Sequence, residues 1–221
     1  MSYETHTKNA YRNTEKAKEY QDQYIKGAKW ARFTMWRQKS IIQKFIGHCQ
    51  IAKSDSILDI PCGTGYAGHI LSDIKGDIFA SDISIEMMDL AVGQYKQSNF
   101  SGFVQADITQ IPFPKGRFRS IIVLALMHRL PCELRAQVLS EINRVSSKYV
   151  IISYSVESFS QRVKQWLLLK IKRTHIPAPA SIPVNVMREE IASAGFTIIK
   201  KKHIMFFLSA KVVFLIEKEG S

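Results

Sequence analysis

Three carboxylates close three successive apolar runs: Asp59 within Ile57–Ile60, Asp82 at the end of Asp77–Asp82, and Asp107 at the end of Phe103–Asp107. Between the first two lies Cys62-Gly63-Thr64-Gly65. A glycine-rich turn after a strand lets backbone approach a ligand closely, because no Cβ intrudes. Asp82 follows Gly63 by 19 residues, where a carboxylate accepts both hydroxyl protons of a ribose. Asp107 stands where it would accept from the exocyclic amine of a purine. Acids at three strand ends in a row are hard to explain as solvated surface. His128, in Leu126-Met127-His128-Arg129-Leu130, follows a fourth apolar run and faces the same edge. An imidazole titrating near neutrality suits proton removal from a hydroxyl acceptor; ordering the loop or contacting a cofactor is its plainer role.

Positioning these groups requires alternating strands and helices. Ile57–Ile60 reads as a buried strand, followed by the glycine turn and a helix to about Ile74. After the Asp77–Asp82 strand, Ser84 is suited to cap a helix running through Lys96. Phe103–Asp107, Ser120–Met127 and Tyr149–Tyr154 complete five strands, with a helix from Pro131 to Val145 before the last. The βαβα order calls for a doubly wound, mostly parallel sheet covered on both faces by helices. Phe196–Met205 and Ala210–Glu217 read as an antiparallel hairpin ending that sheet.

Composition narrows the class further. Of 221 residues, 46% are apolar and 23% charged, which is ordinary for a globular protein. Ile121–Met127 is the longest apolar run, well short of the ~20 residues of a membrane span. The polar Met1–Asn9 predicts no secretory leader, and three scattered cysteines with no CxxC pair predict neither disulfides nor a cysteine zinc site. No HxxH or clustered His/Cys set is visible, so no metal is expected. A reducing cytoplasm is the expected compartment. The net charge of +12 is unevenly spread. Residues 1–53 carry 11 basic and 4 acidic side chains, residues 54–158 carry 9 and 11, and residues 159–221 carry 11 and 4.

Taken together, Asp59, Gly63, Gly65, Asp82 and Asp107 make the stretch from about Ser54 to Tyr154 resemble the class I S-adenosylmethionine-dependent methyltransferases, in particular their small-molecule branch. The resemblance implies a Rossmann-like fold with S-adenosylmethionine as cofactor. Its methionine part would lie on Gly63 and Gly65 with Asp59 and Cys62, its ribose on Asp82 beside Ile83, and its adenine on Asp107 and Ile108 with Met87 packed against the ring. Two residues depart from the family pattern: Pro61 replaces the usual first glycine, and Arg119 an acid before the fourth strand. Gly63-Thr64-Gly65-Tyr66-Ala67-Gly68 also matches the dinucleotide fingerprint. A carboxylate such as Asp59 would repel a pyrophosphate there but attract the ammonium of a methionine moiety. A nicotinamide enzyme and a catalytically idle binding protein are the remaining readings.

The resemblance divides the chain into an aromatic-rich helical arm over residues 1–53 and a methyltransferase domain over 54–221, with a basic helical insertion at about 159–194. The arm would fold over cofactor and acceptor, with Arg32 and Arg37 as candidates for a cofactor carboxylate. Gln161–Arg173 has five basic residues, no acids and a Trp-Leu-Leu-Leu centre, which suits a membrane surface or an acceptor lid. The expected acceptor is therefore an anionic small or lipid-linked molecule methylated on oxygen or nitrogen, with peripheral contact to an anionic membrane. RNA is the alternative partner, since basic flanks also suit phosphate backbones.

Overall fold

In the computed structural model, which describes residues 29–96, 99–157, 181–205 and 210–221, the apolar runs form one seven-stranded sheet. Strands β1 (Ser56–Asp59), β2 (Asp77–Asp82), β3 (Phe100–Gln105), β4 (Phe118–Val123) and β5 (Ser146–Ser155) are mutually parallel. β6 (Phe196–His203) pairs with β7 (Lys211–Lys218) as the antiparallel hairpin expected from the sequence. β7 lies between β5 and β6, giving the order β3-β2-β1-β4-β5-β7-β6. The order reverses beside β1, the place where open α/β sheets bind ligands beyond their strand ends.

Alternation along the strands feeds two cores. Ile57, Ile78 and Ile122 face one layer, covered by Ile41, Ile42, Phe45 and Ile46 of helix α1 (Lys29–Cys49). Leu58, Ile121 and Phe214 face the other, covered by Val138, Leu139 and Ile142 of α3 (Cys132–Val145) and by Met187 and Ile191 of α4 (Val184–Ser193). The buried Arg135 of α3 and Glu190 of α4 join those two helices through several hydrogen bonds, including pairs at 2.9 and 3.0 Å. The carboxyl-terminal half of α1 thus shares a core with the sheet. Residues 1–28 of the expected helical arm and the basic stretch Gln161–Arg173 lie outside the described residues.

Three expectations change at the edge that carries the site. No regular helix follows the glycine turn. Residues 63–74 wind through tight turns, with Gly65 N donating to Cys62 O at 3.0 Å and Gly68 N to Gly65 O at 3.0 Å. The segment packs closely: a Cβ on Gly68 would fall 2.4 Å from the carbonyl oxygen of Gln94. The helix expected through Lys96 stops as α2 (Ile85–Ala91), followed by a 3-10 turn at Val92–Gln94. Ser84 does cap α2, its Oγ accepting from Met87 N at 3.1 Å. The fourth strand ends at Val123, and Ala125 takes a left-handed φ of 56° while its N–H donates to Ser153 Oγ at 2.8 Å. That bend turns the Met127–Arg129 3-10 segment toward the sheet edge.

Arg119 lies inside β4, with its guanidinium 5.5 Å from the Tyr149 ring centroid, a structural contact remote from the strand ends.

Candidate functional site

The strand ends of β1, β2 and β3 and the bend after β4 surround a cavity of about 660 Å³. Asp59, the last residue of β1, is 2% exposed and accepts a hydrogen bond from the Tyr95 hydroxyl. Burial pushes its carboxyl up to about 7; the Tyr95 bond opposes the rise and the nearby Asp82 adds to it. Asp82 accepts from Gly63 N at 2.8 Å and from Ser84 N at 3.0 Å. Burial also raises the Asp82 carboxyl, against the pull of those backbone donors. One acid therefore anchors both the glycine turn and the entry to α2.

Gly63 and Gly65 have φ of 52° and 84°, values that glycine adopts without a Cβ penalty. Space around Gly63 is open on its Cβ side, so its backbone faces the cavity unobstructed. The Cys62 thiol is buried beside the two acids, and burial followed by the charges of Asp59 and Asp82 drives its ionisation far upward. It is an inert wall group rather than a nucleophile.

Asp107 lies two residues past the end of β3 rather than in the strand. Its Oδ1 accepts from Thr109 N at 3.0 Å and Thr109 Oγ1 at 2.8 Å, which fixes the carboxylate plane. Met87, Ile83 and Ile108 add apolar cavity wall between Asp82 and Asp107. The fold thus brings all nine expected cofactor contacts onto one cavity.

His128 lies on the same cavity, in the 3-10 turn after β4. Burial, then the charges of Arg129 and Lys211, drives its pKa down to about 4, so the imidazole is neutral at physiological pH. Burial and Arg129 likewise lower Lys211. Two cations and an imidazole thus line the same cavity, and the charge of Arg129 reaches both His128 and Lys211. Tyr154 also lines the cavity; its hydroxyl is buried without a hydrogen-bond partner, and the charges that act on it are those of Glu190 and Arg135.

Helix α1 closes one side through Thr34, Met35, Gln38 and Lys39, and the Tyr66 hydroxyl bonds Met35 O at 2.9 Å. Arg32 and Arg37 are exposed and do not line the cavity, contrary to expectation, because their helical phase turns them outward. Tyr95, Tyr154 and Lys211 were not foreseen. Lys211 had a readable signal: in the β5/β7 antiparallel register it pairs with Ser155, at the carboxyl end of β5. Tyr95 had none, since its partner is 36 residues away across a helix and a turn. Among the described residues, no group of three or more His, Cys, Asp or Glu is arranged to hold a metal ion. No helix among them is long and apolar enough to cross a membrane.

Comparison with known proteins adds to this geometry. Residues 57–148 match the family model described as a methyltransferase domain. A stretch of 157 residues is 30% identical to the biotin biosynthesis bifunctional protein BioHC of Saccharophagus degradans. That match covers 66% of this chain but 27% of the relative, so the chain spans only about a quarter of that protein's length. The fold superposes on magnesium protoporphyrin IX methyltransferase of Synechocystis with bound SAH at a TM-score of 0.76 and 15% identity, covering 96% of this chain and 98% of that one. A TehB-like SAM-dependent methyltransferase from Corynebacterium glutamicum gives a TM-score of 0.62 and 16% identity, over 94% and 100% of the two chains.

Proposed function

We propose that this chain, whose methyltransferase domain places it among the class I S-adenosylmethionine-dependent methyltransferases, methylates a carboxylate oxygen of a small anionic acceptor. The cavity chemistry fits the cofactor. Asp59 offers a negative floor for an ammonium, Asp82 offers acceptor oxygens for ribose hydroxyls, and Asp107 with Met87, Ile83 and Ile108 offers a carboxylate and apolar walls for an adenine. S-adenosylmethionine supplies a methyl group activated as a sulfonium.

The observation that carries the acceptor assignment is the cluster of His128, Arg129 and Lys211 on the cavity wall. Burial first, and neighbouring positive charge second, depress His128 and Lys211, and an anion bound there would offset both. A carboxylate oxygen is already an unprotonated nucleophile, so no base is required. An imidazole with a pKa of about 4 is a weak proton acceptor, and its neutral N–H serves better to orient the acceptor. Holding the two reactants in line and away from water supplies much of the rate. The names of two of the three proteins compared above, a magnesium protoporphyrin IX methyltransferase and a biotin biosynthesis protein, support a small-molecule acceptor.

The test uses tritiated S-adenosylmethionine and the small-molecule fraction of a cell extract, followed by mild alkali. Methyl esters release volatile tritiated methanol, whereas N-methyl and ether products do not. Label that is transferred but survives alkali rules out the carboxylate reading; release that depends on Arg129 and Lys211 supports it.

A further inference from the structure

The amino-terminal half of α1 presents an unusual surface. Trp30, Phe33 and Trp36 recur every three residues and are 48%, 44% and 61% exposed. Their rings form a continuous ladder, with centroids 6.4 Å apart from Trp30 to Phe33 and 5.8 Å from Phe33 to Trp36. Three large aromatics exposed in one row form the kind of patch that marks an interaction site.

Charge identifies the partner. Lys29–Cys49 contains five Lys or Arg and no Asp or Glu, and Arg32 and Arg37 are exposed beside the ladder. Aromatic rings flanked by arginines match the interface of a bilayer, where the rings sit at headgroup depth and the guanidinium groups meet lipid phosphates. Farther along α1, Ile41, Ile42, Phe45, Ile46 and Cys49 are committed to the protein core. The helix therefore has one apolar stripe for the fold and, two turns earlier, another outside it.

We infer that the Trp30–Phe33–Trp36 face of α1 docks the enzyme on an anionic lipid surface. This goes beyond the acceptor assignment and is independent of it. The same turns of α1 supply Met35 and Gln38 to the cavity wall, so docking by this face brings the cavity alongside the lipid.

The experiment is sedimentation of the full chain with vesicles of phosphatidylcholine alone and of equimolar phosphatidylcholine and phosphatidylglycerol, across a salt series. Wild type is expected to sediment with the anionic vesicles only, with recovery falling as salt rises. Arg32→Glu/Arg37→Glu should weaken binding by at least about twenty-five-fold, at roughly fivefold for each basic residue lost. Trp30→Ser/Trp36→Ser should abolish the blue shift of tryptophan fluorescence on those vesicles. S-adenosylhomocysteine affinity, measured by calorimetry, should be unchanged in both variants, which verifies their folding and keeps this test separate from that of the acceptor. Equal recovery from both vesicle types overturns the inference. So does loss of binding on Lys170→Glu/Lys172→Glu with the α1 variants unaffected, or salt-sensitive binding to transfer RNA by wild type that does not sediment with lipid.

Discussion

Replacing Tyr95 by Phe removes the one side-chain donor to a carboxylate that burial already holds near a pKa of 7. The ring itself should stay, because it stacks on Phe100 at 4.9 Å and meets Phe103 edge-on at 5.5 Å. A hydrogen bond to a charged group is worth about 1.5–3 kcal/mol. Its loss moves the Asp59 midpoint from about pH 7 to roughly pH 8–9. If Asp59 holds the cofactor's ammonium as proposed, only the ionised acid attracts it, so the apparent affinity of the variant at pH 7 should fall by about 5- to 50-fold. Wild type should itself weaken about fivefold from pH 7 to pH 6, as Asp59 protonates. Calorimetric titration with S-adenosylhomocysteine at pH 6, 7 and 8 measures both effects. The linked stability has the opposite sense. Asp59 is raised above its unfolded value of 3.8, so its contribution is fully present below about pH 4 and is lost, by roughly 4 kcal/mol, as pH rises through 7. His128, depressed to about 4, contributes the reverse: stability present above pH 6.5 and lost as pH falls toward 4. Comparing wild type with Asp59→Asn isolates the first slope. Cofactor affinity that is flat from pH 6 to 8, or a Tyr95→Phe profile identical to wild type, would refute the reasoning.

Further outcomes concern single contacts. Asp82→Ala should weaken cofactor binding by about 1.5–3 kcal/mol or more, because the same carboxylate also holds Gly63 N and Ser84 N; calorimetry reads the loss. Gly68→Ala should lower the melting temperature through overpacking worth about 1–3 kcal/mol, since its Cβ would collide with Gln94 O. Tyr154→Phe should leave the melting temperature unchanged or slightly raised in a thermal melt, because its buried hydroxyl has no partner to lose.

The sheet was legible because strands buried on both faces read as continuous apolar runs, as Ile121-Ile122-Val123 does. The strand-end acids were legible for a related reason: a charge closing such a run has to answer to something. Tertiary packing hid the rest. Nothing local announces the turns at 63–74, where the chain passes so close to Gln94 that position 68 has no room for a Cβ. Asp107 was placed at the tip of its strand, yet the Thr109 hydrogen bonds draw it into a turn beyond. Arg32 and Arg37 were candidates for their charge alone, and one helical phase separates them from Met35 and Gln38, which do meet the cavity. The lowered pKa of His128 comes first from burial, which the tertiary fold supplies, and last from Lys211, 83 residues later in the chain.

The state of Cys62 bears on how such an enzyme survives its own reagent. A sulfonium methyl donor will alkylate any good nucleophile in reach, and a thiolate is among the best. Cys62 stands on the cavity wall between the two acids that the cofactor would engage. Ionised, it would compete with the acceptor and end in a permanently capped, self-inactivated protein. The burial and negative neighbours that keep its proton in place remove that competitor. The acids that would recruit the donor thus also guard the enzyme against self-methylation.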